Sequence, residues 1–207
     1  NFRIFNYEYK KNYSTFDLSI SIPGLKKTVI KNIRLNLMGV YNVLNSAGAI
    51  ALCHHIGIDI KIIKKALINF SGIQRRLTKV FEKNKREFFD DYAHHPTEIK
   101  SVISSMKKIN KNRKIISVFQ PHRFSRLKLL KNEFAKSFKD SNLVVLCPVY
   151  PAGEKIDKNY NKLSFAKHIS KKSNVQVITV ENQIELKNYF KKNLISNELV
   201  LCMGAGS

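Results

Sequence analysis

The sequence has 207 residues, of which 43% are hydrophobic and 25% are charged, a length and composition that suit one large or two small globular domains and argue against a disordered chain. With 37 Lys and Arg against 15 Asp and Glu, the formal net charge is +22, a balance typical of proteins with an anionic partner such as nucleic acid or a membrane surface. However, 29 of the basic residues are Lys, scattered through a chain rich in Asn and Ile, and only 8 are Arg. Much of the charge is therefore interpreted as compositional bias on solvated faces.

The first 70 residues predict an antiparallel meander followed by two helices. Short β-rich bursts separated by Lys, Asn and Pro23-Gly24 cover residues 3–9, 15–22 and 28–37. The apolar spacing then becomes helical over residues 42–55 and 59–70, with Gly57 as the stop signal between the two helices. Ser71-Gly72 breaks this pattern, and we place a domain boundary near residues 72–78.

Beyond the boundary, strands alternate with helices. The predicted strands are 87–91, 114–119, 143–149, 175–180 and 199–203, and the predicted helices are 96–109, 126–138, 163–170 and 184–192. This rhythm indicates βα units and a mostly parallel sheet covered on both faces, so the fold class is α/β.

The cysteines and the apolar runs bound the class of protein further. Cys53, Cys147 and Cys202 lie far apart with no CxxC pair, which argues against a disulfide scaffold or zinc site and fits a reducing cytosol with three small core residues. No apolar run approaches the roughly 20 residues of a membrane span, and no leader opens the chain. We therefore expect a soluble cytoplasmic protein without a membrane partner. Both ends are consistent with cuts in a longer chain.

Polar residues cluster directly after four of the predicted strands. They lie at residues 90–96, 120–126, 150–154 and 204–206. Because ligands bind outside the carboxyl ends of parallel strands, we expect these four loops to form one site.

Arg123 and Arg126 are three residues apart at a predicted helix start. If the helix begins by Arg123, they share a face and could clamp a carboxylate or phosphate with forked, charge-assisted hydrogen bonds. The alternative is two solvated arginines. The scarcity of Arg in this Lys-rich chain favours the functional interpretation.

Other polar residues of this region admit two interpretations each. His94, His95 and Glu98 could be metal ligands, since His95 and Glu98 are three residues apart on a helical turn. However, adjacent His side chains point in different directions and no third ligand joins His95 and Glu98 at a familiar spacing, so a loop that offers hydrogen bonds to a substrate is favoured. Asp90 and Asp91 could cap a helix and form a salt bridge, or contact a nucleotide at the strand end.

Three histidines outside these loops, His54, His55 and His168, are expected to be structural or solvated. His54 and His55 lie at a predicted helix end, where they suit the helix dipole. His168 is expected at the surface.

Six short sequence motifs occur in the order and at about the spacing found in the Mur ligases, so the sequence resembles that family. They are Asn42-Val43-Leu44-Asn45-Ser46, Gly72-Ile73-Gln74-Arg75-Arg76, Asp90 to Glu98, Val118 to Arg126, Val149 to Glu154, and Gly204-Ala205-Gly206. The resemblance covers the chain from about residue 30. It implies that residues 1–73 are the C-terminal portion of a central ATP-binding domain, and that residues 74–207 are a Rossmann-like, amino-acid-binding C-terminal domain.

The resemblance also implies an activity. In such ligases ATP phosphorylates the lactyl carboxylate of UDP-N-acetylmuramate, and the amine of L-alanine attacks the acyl phosphate and releases phosphate, a step of peptidoglycan precursor synthesis. ATP and Mg²⁺ are therefore the expected cofactors, and UDP-N-acetylmuramate and L-alanine the expected partners, with no nucleic acid. The oligomeric state is left open.

Site residues follow from the resemblance by motif position. Asn42 and Asn45 match the pair that reads adenine, Arg76 matches an arginine that reaches the ATP phosphates, and Asp91 matches an acidic residue facing the nucleotide. The predicted catalytic residues are Arg76, Asp91 and His94. The predicted substrate-binding residues are Tyr92, His94, His95, His122, Arg123 and Arg126.

The sequence departs from the family pattern in two places. Tyr41 stands where the family usually has His before the adenine-reading pair. Nothing in the sequence matches GxxxxGK[ST], so the phosphate-cradling loop and the metal ligands are expected elsewhere, and no metal ligand is assigned in this chain. We therefore expect the 207-residue chain alone to be inactive.

Two alternatives remain open. A related ligase attaches a whole tripeptide to the same sugar nucleotide and shares the string from Asp90 to Thr97. A basic nucleic-acid-binding module is the alternative from another class; it predicts clustered basic residues with exposed aromatics and binding that weakens steeply with salt.

Overall fold

In a computed structural model, described for residues 1–10, 13–24 and 26–206, the chain divides into two compact units, Asn1–Ile73 and Gln74–Ser207. The first unit contains β1 (Phe2–Lys10), β2 (Tyr13–Ile20), β3 (Thr28–Leu35), α1 (Val40–His55) and α2 (Ile60–Asn69). The second unit contains β4 (Thr78–Lys83), β5 (Arg86–Asp91), α3 (Pro96–Ile109), β6 (Ile115–Phe119), α4 (Phe124–Leu129), α5 (Lys131–Ala135), β7 (Leu143–Leu146), α6 (Lys162–Ser173), β8 (Gln176–Thr179), α7 (Gln183–Asn193) and β9 (Leu199–Met203).

The first unit is an antiparallel sheet in the order β1-β2-β3 with two helices, as the sequence predicts. Its core joins buried residues of β2, β3 and α1, among them Leu18, Ile33 and Val43. The buried Asp17 fixes two irregular positions of the sheet: its carboxylate accepts the side-chain amide of Asn6 at 2.9 Å and the backbone N–H of Asn32 at 2.7 Å. These hydrogen bonds, led by that from Asn32, hold the pKa of Asp17 below its ordinary value.

The second unit is a six-stranded sheet in the order β4-β5-β9-β6-β7-β8, parallel except for the pairing of β4 with β5. All five residues of β6 are buried, which is typical of a central parallel strand covered on both faces. The predicted α/β class is confirmed. None of the described helices is both long and apolar enough to cross a membrane.

The second unit differs from the predicted elements in two places. The sequence analysis predicts no element over residues 78–83, where the structure has the edge strand β4, five of whose six residues are exposed. It forms a hairpin with β5 through Asn84 and Lys85, both with positive φ (54° and 62°), the geometry of a tight hairpin turn. The single helix expected over 126–138 is instead α4 and α5, separated at Leu130, where φ is −110°.

The three cysteines are free, half-buried thiols. Cys147 and Cys202 pack against the apolar cluster on one face of the second sheet. Burial raises the pKa of Cys147 to about 11 and that of Cys202 to about 12, so both stay protonated at neutral pH. Their role is packing, and each lies less deeply in the core than expected.

Candidate functional site

The carboxyl ends of the parallel strands carry loops that hydrogen-bond to one another and form a continuous rim. We call residues 92–95, 120–126, 147–154 and 204–206 the carboxyl-edge rim. The backbone N–H of Gly204 donates to the carbonyl of Asp91 at 3.2 Å, and that of Gln120 donates to Met203 at 3.0 Å. A parallel bridge pairs His122 with Tyr150. The structure therefore brings together all four of the polar loops that the sequence singled out.

A row of aromatic rings runs along the carboxyl-edge rim. Ring centroids lie 5.2 Å apart for Tyr92 and His94, 5.7 Å for His94 and His122, and 5.6 Å for His122 and Tyr150, the last pair being stacked. The guanidinium of Arg75 lies 4.8 Å from the Tyr92 centroid, a cation–π geometry. Three predicted substrate-binding residues are thus neighbours, and Tyr150 extends their surface.

The two arginines of the predicted clamp are placed differently from the expected helical pair. Arg123 lies before α4 with a φ of 68°, in the left-handed region, so a shared helix face does not set its direction. The Nη1 of Arg126, inside α4, donates to Nδ1 of His122 at 3.4 Å. Arg123 is exposed and Arg126 half-buried. Both remain beside His122, where an anion can reach them.

The surroundings of His122 disfavour protonation of its ring. Burial lowers its pKa, and the positive charges of Arg126, His94 and Arg123 lower it further, while Glu154 opposes the shift. A neutral ring whose Nδ1 accepts from Arg126 carries its proton on Nε2. His122 therefore offers one N–H donor to the carboxyl-edge rim without adding charge.

We expect an NMR titration of the His122 ring to give a pKa below the ordinary value of about 6.5. Arg126→Met should raise that pKa, because it removes a positive charge that opposes protonation. Lys128→Met is the matched control, since it removes an exposed charge from the same helix. A His122 pKa at or above the ordinary value would contradict the geometry.

Asp90 and Asp91 have separate environments. Asp91 is 2% exposed, and its two oxygens accept the backbone N–H groups of Leu77 and Ala93, each at 2.8 Å. The one-third exposed Asp90 pairs with Arg75 at 3.3 Å. The suggestion that this pair caps a helix is wrong, because α3 is capped by His95. Asp91 positions two backbone segments, and its contact with a nucleotide stays a prediction.

The segment from Arg75 to Leu77 is held in an uncommon backbone conformation, with φ of 60° at Arg75 and 53° at Leu77. Arg75 donates through Nη2 to the carbonyl of Gly204 at 2.7 Å, and its own carbonyl accepts the N–H of Tyr92 at 2.7 Å. Sequence reasoning assigned no role to Arg75; its place beside Arg76, in a chain with 8 Arg, was the available signal.

Arg76 itself is exposed. Its positive charge is one of the influences on Glu98: burial disfavours ionisation of Glu98, but backbone N–H groups of His94 and His95 and the charges of His94 and Arg76 hold its pKa below the ordinary value. Within the described residues Arg76 has no carboxylate within salt-bridge distance. It is available to an anionic ligand.

His95 and Glu98 form the start of α3. Nδ1 of His95 accepts the N–H of Thr97 at 3.3 Å, and Oε2 of Glu98 accepts the N–H groups of His94 and His95 at 3.1 Å. This is a capping box, with Pro96 as the first helical residue. Because both side chains satisfy the helix end, their interpretation as a metal pair is wrong. Within residues 1–10, 13–24 and 26–206, no three His, Cys, Asp or Glu side chains are grouped to hold a metal ion.

The predicted adenine-reading pair lies in the first unit. Asn42 is 8% exposed and donates through Nδ2 to the carbonyl of Met38 at 2.6 Å, which fixes its side chain; Asn45 is exposed one turn further along α1. Their role in binding adenine stays a prediction. His54 and His55 lie in the last turn of α1, as expected, and the half-buried His168 contacts Asn132 at 2.9 Å.

Two glycines lie at a close approach of two loops, where the last strand meets the carboxyl-edge rim. A Cβ added to Gly204 would lie 3.1 Å from the carbonyl oxygen of Gln120, and one on Gly206 would collide with the Gln120 side chain. The loop after β9 therefore packs directly against the loop after β6.

Comparison with known families gives a match over most of the second unit. Residues 75–206 match the family described as "Mur ligase, glutamate ligase domain". A UDP-N-acetylmuramate--L-alanine ligase of Pelagibacter ubique is 47% identical over 207 residues, which is 100% of this chain and 45% of the relative. The protein of the same name from Brachyspira hyodysenteriae is 36% identical, over 100% of this chain and 46% of the relative. The chain thus spans less than half the length of these relatives.

Solved structures agree. The crystal structure of UDP-N-acetylmuramate-alanine ligase MurC from Thermotoga maritima superposes with a TM-score of 0.75 at 26% identity, covering 100% of this chain and 43% of that one. A murein peptide ligase from Psychrobacter arcticus gives 0.65 at 19% identity, covering 99% and 41%. A folylpolyglutamate synthase from Mycobacterium tuberculosis gives 0.70 at 15%, covering 99% and 45%. The last two likenesses show the fold alone.

Proposed function

This chain belongs to the Mur ligase family, and on that premise we propose that it is part of an ATP-dependent ligase that joins L-alanine to UDP-N-acetylmuramate in cytoplasmic peptidoglycan precursor synthesis. The observation that carries the proposal is 47% identity, over the whole chain, to a protein named for that reaction. The carboxyl-edge rim adds chemistry of the required kind, since it gathers guanidinium groups and imidazole rings at one edge of the sheet.

The carboxyl-edge rim suits a small amino acid with a free carboxylate. Arg123 and Arg126 supply guanidinium groups that can bind the carboxylate of L-alanine through charge-assisted hydrogen bonds. His122 lies beside Arg126 and His94, and its lowered pKa favours the uncharged ring, which can donate an N–H to the same anion. With the carboxylate fixed there, the amine is free to attack an acyl phosphate: the C–N bond forms, the C–O bond to phosphate breaks, and the amine loses a proton.

Arg76 is the residue of this chain that we assign to the phosphates. It is exposed and lacks a carboxylate within salt-bridge distance in the described part of the chain, so its charge is not already neutralised. A guanidinium stabilises the negative charge that develops during phosphoryl transfer. We assign Asn42 and Asn45 to adenine and Asp91 to the nucleotide side, by motif position.

Mg²⁺ is expected in phosphoryl transfer, where it offsets phosphate charge. The described residues contain no cluster of carboxylates and imidazoles able to hold it. We therefore assign no metal ligand to this chain and derive no step through the ion.

The experiment that tests the proposal is an ADP-release assay of the full-length protein with ATP, Mg²⁺ and UDP-N-acetylmuramate. We expect turnover to depend on L-alanine, and the isolated 207-residue chain to be inactive because it lacks a phosphate-cradling loop. Preferential turnover of a tripeptide would indicate the recycling ligase instead. Salt-sensitive binding of single-stranded DNA without ligation would favour the nucleic-acid-binding alternative.

A further inference from the structure

The carboxylate of Glu154, at the end of one rim loop, hydrogen-bonds to the start of α4, the helix that carries Arg126 and directly follows Arg123. Glu154 accepts the backbone N–H of Ser125 at 3.1 Å through Oε2, and Oε1 accepts the Ser125 hydroxyl. These hydrogen bonds, led by that from the hydroxyl, hold the pKa of Glu154 below its ordinary value. Glu154 therefore caps α4 from 29 residues away in the chain.

The helix lacks a cap of its own. Arg123 occupies the N-cap position, and its side chain makes no capping hydrogen bond. A helix start without a side-chain acceptor leaves backbone N–H groups unpaired, and α4, with six residues, has little internal cooperativity to compensate. The Glu154 carboxylate supplies the missing acceptor.

Glu154 reaches Ser125 because its own loop is sharply folded. Ala152 and Gly153 both have positive φ, 49° and 85°, and the N–H of Glu154 donates to the carbonyl of Pro151 at 3.1 Å. This turn directs the Glu154 side chain back towards α4. The same loop anchors the other side of Arg123, whose N–H donates to the carbonyl of Tyr150 at 2.9 Å.

Arg123 is thus bracketed by two anchors from one loop, Tyr150 before it and Glu154 through Ser125 after it. Its left-handed φ of 68° is unfavourable for a non-glycine residue, so the conformation persists only where neighbours impose it. Removal of the Glu154 anchor lets Arg123 relax and loosens the first turn of α4, which carries Arg126.

We propose that Glu154 is a positioning residue that fixes Arg123 and Arg126 for binding of the acceptor carboxylate by capping α4. This inference rests on the proposed ligase function. It assigns a task to a residue of the loop after β7 whose carboxylate accepts two hydrogen bonds from Ser125.

The test compares steady-state kinetics of the full-length ligase and its variants. Glu154→Ala should raise the KM for L-alanine about 5- to 30-fold, the effect of losing a helix cap worth one to two kcal/mol, with a smaller change in kcat and in the KM for ATP. Glu154→Gln, which keeps one carbonyl acceptor, should be intermediate, and Ser125→Ala should resemble it. An unchanged KM for L-alanine in Glu154→Ala would overturn the inference.

The matched control is Asn182→Ala. Asn182 caps α7 by accepting the N–H of Glu185 at 3.0 Å, so its loss removes a comparable hydrogen bond from a helix that carries none of the predicted site residues. We expect this variant to lose stability without a change in the KM for L-alanine. An equal rise in both variants would reduce Glu154 to a general structural role and overturn the proposal.

A second readout separates this inference from the proposed function. If the wild-type protein does not turn over L-alanine, the proposed ligase function is refuted independently of the role of Glu154. The positioning role is then tested by the guanidinium NMR signals of Arg123 and Arg126 in the 207-residue chain. Distinct, slowly exchanging signals that collapse in Glu154→Ala support it. Signals unchanged by that substitution contradict it.

Discussion

Arg76→Ala should lower kcat of the full-length ligase by about 100- to 1000-fold, the usual cost of removing one preorganised group that stabilises transition-state charge. The residue is exposed and has no salt-bridge partner among the described residues, so its loss breaks no ion pair of the fold. Arg76→Lys should recover part of the activity, because a lysine keeps the charge but loses the planar fork.

The measurement is single-turnover formation of ADP at saturating ATP. Lys100→Ala is the control, since it removes another exposed positive charge, from α3, and should leave kcat unchanged. A kcat within about twofold of wild type for Arg76→Ala would remove this residue from the phosphate site, since even a weak transition-state contact is worth more than that factor.

Asp91→Ala should lower the free energy of unfolding of the second unit by about 3 kcal/mol. The substitution leaves the backbone N–H groups of Leu77 and Ala93 without acceptors in a buried place, and each unsatisfied group costs about 1–3 kcal/mol. Urea unfolding, followed by backbone amide signals of the buried strand β6, measures the effect on this unit alone.

Asp90→Ala is the natural comparison for that experiment. Its carboxylate is one-third exposed and joined to Arg75 in a single ion pair, which is worth about 0–1 kcal/mol. Equal losses in the two variants would show that Asp91 does not anchor the backbone as its hydrogen bonds indicate.

The order of strands and helices in the second unit was predictable because βα units have a recognisable sequence pattern of apolar runs separated by polar loops. The convergence of the loops at residues 92, 122, 150 and 204 followed from the rule that ligand sites lie at the carboxyl ends of parallel strands. The exposed hairpin strand β4 has no such signal, because its partner β5 determines its conformation.

The detailed geometry of the site could not be predicted from the sequence either, because it depends on contacts with residues distant in the chain. The left-handed φ of Arg123 depends on Tyr150 and Glu154, which lie about 30 residues later in the chain. Asp90 and Asp91 have different environments because the Asp91 side chain is buried, whereas that of Asp90 is partly exposed. The sequence alone does not show which of two adjacent side chains faces the protein interior. Two adjacent aspartates give the same sequence pattern whether a carboxylate binds a ligand or, as in Asp91, two backbone amides.

The position of β9 also bears on how the polypeptide is made. This strand pairs with both β5 and β6, yet it is synthesised after both of them. From the time residue 119 leaves the ribosome until residue 203 follows, β5 and β6 each keep an open edge of unpaired backbone groups. During that interval the open strand edges are exposed to non-native pairing, which promotes aggregation of the nascent chain.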